Sequence, residues 1–489
     1  MAIQESIKLT DPSLLKQDLF IGGEWVPSSD GARSEVVNPA TGKVIAEVAM
    51  GTREDIERAI TLADAAFKIW SKKTALERAK ILRTWFNLIL ENVDDLAQIL
   101  TCEMGKPLDE ARGEIIYGAG FIEWYAEEGK RLYGETIPTN VSSRRLLTIR
   151  QAIGVTAAIT PWNFPMAMIA RKAGPALAAG CPMVIKPATD TPLSATAMAE
   201  LARRAGIPAG VLSVVIGPSR MIGEVITSSS IVKALSFTGS TEVGKLLMAA
   251  SASTVKKVAM ELGGNAPFIV FDDADVDAAV AGAIASKFRN AGQTCVCANR
   301  ILVQENIHDE FVAALQIAVS KLKVGNGLDP DTKQGPLINE GAITKVMSHI
   351  DDAIALGGKV ISGGKRIDSA GTFFEPTIIT GVTEDMLVMR EETFGPLAGI
   401  IKFKIEEDAL RIANDTPFGL AAYFFTKDNG RTWRIAEGLE AGVVGINTGL
   451  ISYEGAPFGG VKESGVGREG SKHGIEEFLE IKYLCIDGV

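Results

Sequence analysis

The run from Pro165 to Leu262 decides the fold of this chain, because helix-like and strand-like pieces take turns along it. MIARKAGPALAAG (Met168–Gly180) leads into PMVIKPA (Pro182–Ala188), and ATAMAELARRAG (Ala195–Gly206) leads into GVLSVVIG (Gly210–Gly217). TEVGKLLMAASAS (Thr241–Ser253) then leads into VKKVAMEL (Val255–Leu262). The first member of each pair has helical character; the second is short, apolar and bounded by turn residues. Alternation of this kind builds a parallel sheet with helices on both faces, the doubly wound α/β arrangement. A second α/β region runs from about Asn265 to Gly445.

Working outward, residues 20–50 read as short strands and turns, and Arg53 to about Glu128 as amphipathic helices. Those helices are expected to be packing elements without chemistry. LYGETIPTN and RRLLTIRQAIGVTAAI, between Arg131 and Ile159, alternate like hairpin strands, as does the C-terminal IEEFLEIKYLCIDGV. The sequence shows no internal repeat and no low-complexity segment.

The chain has 489 residues, enough for two or three domains, with 46% hydrophobic and 22% charged residues, an ordinary globular composition. A formal net charge of −10 argues against nucleic-acid binding but leaves an anionic substrate open, since one pocket need not share the sign of the whole. No apolar run of membrane-spanning length occurs; the longest are interrupted by Arg171, Lys172 or Asp277. MAIQESIKLTD lacks the apolar core of a signal peptide. Five cysteines without framework spacing fit a reducing compartment, so a cytoplasmic location is expected.

Chemistry concentrates in FRNAGQTCVCANR (Phe288–Arg300). Gly292 permits a tight turn that places Cys295 in a loop beyond the helical run DADVDAAVAGAIASKF. Thirty-four residues upstream, Glu261 lies in the strand-like KVAMELGGNAPFIVF. A lone cysteine is usually a small buried hydrophobe, and a glutamate beside paired glycines is usually a turn. A thiol with a separate carboxylate base is also the minimum equipment for making and hydrolysing a thioester.

MELGGNAP and GQTC together resemble the signature of the aldehyde dehydrogenase superfamily, and the likeness extends from about Phe20 to Cys485. The resemblance implies a cofactor-binding domain of residues 1–130 and 151–262 and a catalytic domain of residues 263–468. It also implies a small β element, residues 131–150 and 469–489, bridging subunits in a homodimer or homotetramer. Cys295 would attack an aldehyde, Asn163 of ITPWNFPM would donate to the oxyanion, and Glu261 would activate the hydrolytic water. A thiol near its ordinary pKa is mostly protonated at neutral pH, so some activation is needed. His308, His349 and His473 stand in polar contexts and read as surface residues. No metal cluster is visible.

FTGSTEVG (Phe237–Gly244) fits a glycine turn opening a helix, where free N–H groups meet phosphate, although Ser240 or Thr241 as a helix cap would explain it equally. By the resemblance, Gly239 and Ser240 lie against the cofactor pyrophosphate, while Glu392 and Phe394 of REETFGPL hold the nicotinamide riboside. Trp162, Asn163 and Leu262 line the same crevice. VIKPATDTP places Lys186, Pro187, Ala188 and Thr189 at a strand end, where doubly wound folds bind ligands. NAD-preferring relatives carry Glu three residues beyond the lysine. Here Thr189 stands there, which points to NADP, with NAD used less efficiently; Asp190 beside it is the counter-indication.

FRNAGQTCVCANR, EWYAEEGKRLYGETIP and GREGSKHGIEEFLEIKYLCI resemble the succinate-semialdehyde dehydrogenase subfamily. By that likeness Arg171, Arg289 and Ser452 clamp the distal carboxylate of succinic semialdehyde, a task suited to the planar arginine fork. Either arginine could instead serve an ordinary salt bridge. A glutarate-semialdehyde dehydrogenase, or a broader NAD(P)-dependent aldehyde dehydrogenase, is the alternative, since one methylene discriminates weakly. The presence of Glu261 counts against a CoA-acylating enzyme. Cys297, two residues from Cys295, is either a spectator or the partner of a strained, reversible disulfide.

Overall fold

The alternation after Pro165 folds into four helix–strand steps on a sheet whose first strand is Val155–Ile159. The computed structural model describes residues 5–488, so the ends of the expected first and last ranges, and the first residues of MAIQESIKLTD, lie outside it. The parallel strands stand in the order Lys257–Glu261, Val232–Thr238, Val155–Ile159, Met183–Lys186, Leu212–Val214. From Val155–Ile159 the chain steps outward twice in one direction, then crosses back to build the other side. That reversal lies between Ile159 and Thr238, where a doubly wound sheet leaves its crevice. Antiparallel strands Leu19–Ile21 and Glu24–Val26 finish one edge, and Gly465–Val466 finishes the other.

The second sheet is parallel through Thr377–Thr380, Leu397–Phe403, Ala298–Gln304, Ala266–Val270, Ala421–Phe425 and Val443–Ile446, with Lys359–Ser362 antiparallel at its edge. Separate apolar cores cover its two faces. KVAMELGGNAPFIVF, which reads as one strand, is therefore two strands in two sheets, Lys257–Glu261 and Ala266–Val270. The break has a cause: Leu262 N–H donates to Ser464 O at 2.9 Å and Gly264 N–H to Glu392 at 3.0 Å, so neither can continue a ladder. The carboxyl ends of the first sheet thus face the amino ends of the second.

Four helices, Arg53–Trp70, Ala75–Glu91, Val93–Met104 and Leu108–Glu128, pack against the first sheet. The first two begin with capping boxes, Thr52 with Asp55 and Thr74 with Glu77, each worth about 1 kcal/mol. Arg144–Ala152 and Leu479–Asp487 pair antiparallel along their whole lengths, with Thr136–Ile137 beside them. This small sheet leaves Ile481, Tyr483 and Ile486 exposed. Among the described residues, no helix is long and apolar enough to cross a membrane.

Candidate active site

Cys295 stands where two cavities meet, because a strained turn puts it there. After the helix Val276–Lys287, Asn290, Ala291 and Gly292 take φ values of 53°, 54° and 73° in succession. The left-handed region costs a non-glycine residue roughly 1–2 kcal/mol, so the turn must be held from outside. Asn290 N–H donates to Glu110 at 2.8 Å, and Asn290 Nδ2 donates to the carbonyls of Asn163 and Gln293 at 3.0 and 3.1 Å. Gly292 is required for a further reason: a Cβ there would lie 2.1 Å from the Gly395 carbonyl oxygen. Likewise a Cβ on Gly264 would lie 2.4 Å from Cys295 O, so the GG pair after Glu261 lets the cysteine loop close down.

One cavity, about 260 Å³, opens between the turns that end two parallel strands. Pro161, Trp162 and Asn163 follow Ile159; Gly239 and Ser240 follow Thr238. Leu262, Gly263, Lys345, Glu392 and Phe394 close it, with Cys295 at its end. Ser240 caps the helix Thr241–Ser251, accepting from Val243 N–H at 3.4 Å, so the cap and the crevice wall are the same residue. Trp162 and Phe394 meet edge to face at 5.4 Å. Burial pushes Glu392 up to about 7, against the Gly264 N–H bond that favours its charged form. Asn163 is pinned from both sides: its Nδ2 donates to Gln293 O at 3.0 Å, and its carbonyl accepts Lys106 Nζ at 2.8 Å. The second amide hydrogen of Asn163 remains for a ligand.

Lys186 ends the strand Met183–Lys186, with Pro187, Ala188 and Thr189 in the turn beyond it. It is buried and donates to Ser219 Oγ at 2.8 Å. Burial pushes its ammonium down to about 8, opposed by the nearby Asp190 charge. A desolvated cation with only a hydroxyl as its bonded partner is suited to an incoming anion.

The other cavity, about 290 Å³, has Cys295 and Thr294 at one end and basic groups around it. Arg171, in the helix Ala167–Ala179, lies with its guanidinium 3.9 Å from the Phe458 ring centre. Its Nε is 2.7 Å from Glu469 Oε2, a close ion pair without aligned hydrogen-bond geometry. Arg289 makes no ion pair among the described residues, and its Nε is buried without a partner. Ser452, Leu450 and Phe458 close the wall. The structure therefore brings Arg171, Arg289 and Ser452 around one space with Cys295, although Arg171 already has an internal counter-charge.

Burial pushes the Cys295 thiol up to about 12; Arg171 and Arg289 pull it down, while Glu392 and Glu261 push it up. Glu261 is 4% exposed and its Oε2 has no hydrogen-bond partner among the described residues. Burial, then the Glu469 charge, hold its carboxyl well above the usual range against Arg171, Lys172 and Arg468. The resting site thus holds a thiol and a protonated carboxyl at neutral pH.

Two sequence expectations are corrected. The helices before Glu128 are not chemically silent: Lys106, Glu110, Glu114 and Tyr117 line the Cys295 cavity. Glu110, Glu114 and Tyr117 stand at i, i+4 and i+7, one helix face, a pattern that reads as solvated until something covers it. Glu114 also receives Met166 and Ala167 N–H at 3.0 and 3.1 Å, capping the helix that carries Arg171. Nor are His308 and His349 on the surface. Both are buried, and His349 bonds Thr393 Oγ1 at 3.1 Å from the covered face of its helix. Neither lines the Cys295 cavities. Cys297 is buried, with its thiol 3.4 Å from Lys287 O. Glu469 and Lys172, beside the site, carried no local motif.

A two-sheet α/β fold with a cysteine between a dinucleotide-type crevice and a second cavity defines the class. The aldehyde dehydrogenase family profile matches residues 25–484, and the chain belongs to that family. It is 60% identical over 481 residues to a glutarate-semialdehyde dehydrogenase of Pseudomonas putida, covering 98% of this chain and 100% of that one. It is 58% identical over 480 residues to an NADP⁺ succinate-semialdehyde dehydrogenase of Escherichia coli, covering 98% and 100%. The solved succinate-semialdehyde dehydrogenase of Burkholderia pseudomallei superposes with a TM-score of 0.98 at 61% identity, covering 99% and 100%.

Proposed function

We propose that this aldehyde dehydrogenase oxidises a short semialdehyde with a distal carboxylate, succinic semialdehyde foremost, using NADP⁺. The observation that carries the substrate reading is Arg289: a cation without an ion-pair partner among the described residues, in the cavity that Cys295 borders. The names of similar proteins support the four-carbon and the five-carbon substrate alike, so glutarate semialdehyde is the second reading. The crevice fits a dinucleotide in its helix-opening Gly239–Ser240 turn and its buried Glu392. Lys186, bonded to a hydroxyl and with Thr189 nearby, fits a 2′-phosphate.

When bound, NADP⁺ supplies the hydride acceptor. The Cys295 sulfur adds to the aldehyde carbon, and the Asn163 amide and the Cys295 N–H receive the alkoxide. Arg289 and Ser452, with Arg171, hold the distal carboxylate so that the carbonyl faces the sulfur. After oxidation the acyl group is a thioester on Cys295. Glu261, once ionised, takes a proton from water; the hydroxide adds to the thioester, and the Cys295 thiolate departs. We further assign the exposed face of the small sheet to a second copy of this chain.

Steady-state reduction of NADP⁺ and NAD⁺ with succinic, glutaric and an uncharged aldehyde of similar length tests the reading. A higher kcat/KM for the carboxylate-bearing aldehydes with NADP⁺ is expected. Equal use of the uncharged aldehyde removes the substrate reading, and a preference for NAD⁺ removes the cofactor reading.

A further inference from the structure

Arg171 faces two ways. It borders the cavity next to Cys295, and it also belongs to a dry cluster beneath it. One oxygen of Glu469 pairs with Arg171; the other accepts from Lys172 Nζ, which also donates to Ser236 Oγ at 3.0 Å. Arg171, Lys172 and Glu469 are 2%, 1% and 5% exposed. Two cations thus share one carboxylate, and desolvation keeps that balance from being screened by water.

The C-terminal part of the chain locks the cluster in place. Phe458 N–H donates to Glu469 O at 2.8 Å and Glu469 N–H to Phe458 O at 2.7 Å, while the Phe458 ring lies against the Arg171 guanidinium. Arg171 Nη2 is buried and without a hydrogen-bond partner among the described residues. The next residue, Gly459, lies against the hydrolytic side: a Cβ there would be 2.9 Å from Glu261 Oε1 and 2.8 Å from Arg468 Cδ. Glu261 is consequently surrounded by Glu469 and Arg468 from this segment, Arg171 and Lys172 from the helix Ala167–Ala179, and Cys295 from its loop.

We propose that Glu469 is the internal counter-ion of the site: its one negative charge limits how strongly Arg171 attracts an anionic substrate and how readily Glu261 releases its proton. Glu469 is a positioning residue, acting through Arg171 and Glu261 rather than on the reacting atoms, and the idea rests on the roles given to those two residues above. The two effects share one cause and must move together. Neutralising Glu469 leaves two buried cations unbalanced. An anion in the cavity is then held more tightly, and the ionised form of Glu261 is favoured, so hydrolysis persists to lower pH. Removing Lys172 has the opposite sign for Glu261, because Glu469 then loses half of its compensation.

The test uses full-length wild type, Glu469→Gln, Glu469→Asp and Lys172→Met, each checked for native circular dichroism and thermal melting. KM is measured for succinic semialdehyde and an uncharged aldehyde, and thioester hydrolysis is followed against pH in single turnovers. For Glu469→Gln we expect KM for the anionic substrate to fall about five-fold, with the uncharged one unchanged. The acid limb of hydrolysis should move down by about one pH unit. It should move up in Lys172→Met, and Glu469→Asp, which keeps the charge, should restore both effects toward wild type. Equal losses on both substrates with fixed pH limbs would reduce Glu469 to a structural residue and overturn the proposal; so would a rise in anionic KM. If wild type shows no preference for the anionic aldehyde, the substrate reading itself has failed. The pH limbs measured with the uncharged aldehyde then still decide whether Glu469 governs Glu261.

Discussion

The two cavities that meet at Cys295 are built by different means. The cofactor-side cavity is made mostly of turns at the carboxyl ends of parallel strands, with Gly239, Ser240 and the Pro161–Asn163 turn in places the topology dictates. The substrate-side cavity is made of side chains from four distant segments: Lys106–Tyr117, Phe164–Arg171, Arg289–Val296 and Leu450–Phe458. The first is largely backbone and tolerates changes of side chain; the second depends on a balance of buried charges, including Lys106–Glu114 and Arg171–Glu469. Binding a common dinucleotide needs shape and N–H donors, whereas selecting one aldehyde needs particular charges in particular places.

The comparison breaks most visibly at the junction itself. Cys295→Ala should lower aldehyde oxidation by roughly 10⁴-fold or more while NADP⁺ binding, read by fluorescence quenching, stays intact. Retained turnover would mean that the shared wall is not the nucleophile. Asn163→Ala comes next, with kcat expected to fall about 10²–10³-fold through the lost oxyanion donor. Because Asn163 O also holds Lys106 and Asn290 through the backbone, those contacts survive the substitution, and an unchanged melting temperature would support a chemical cause.

On the substrate side, Arg289→Met should cost about 2–3 kcal/mol in kcat/KM for a carboxylate-bearing aldehyde and little for an uncharged one. A uniform loss would show that Arg289 supports the loop instead of reading the substrate. On the cofactor side the expected effect is smaller. Lys186→Met should reduce the NADP⁺ over NAD⁺ ratio of kcat/KM by about ten-fold. A ratio that does not move would take Lys186 out of 2′-phosphate recognition.

The pH dependence joins the two sides. Glu261 has a raised carboxyl pKa in the folded protein, and its ionised form is the one that activates water. Hydrolysis should therefore decline as pH falls through that raised value, well above the range of an ordinary glutamate, while acylation follows the Cys295 thiol. Stopped-flow measurement of the two steps separates these limbs. The same raised pKa means that folding favours the protonated form of Glu261. Its contribution to stability is present below the unfolded value and is lost as pH rises through the folded one.

Local sequence determined a good deal. The order of helices and strands, the two α/β regions and the loop that carries Cys295 all follow from short-range apolar patterning, glycine turns and the MELGGNAP and GQTC words. Those features depend on neighbours in the chain, so periodicity and turn chemistry record them. The break of KVAMELGGNAPFIVF into two sheets, the burial of His349 and the contribution of Glu110, Glu114 and Tyr117 did not follow, because each depends on what comes to lie against the residue from elsewhere. Glu469 is the clearest case: nothing around it in GREGSKHG marks a site residue. Only the fold lays it against Arg171 and Lys172, some 300 positions earlier, and takes water away from all three. Residue types set which charges were available; tertiary packing decided which of them would be buried together, and buried charge is what gives this site its chemistry.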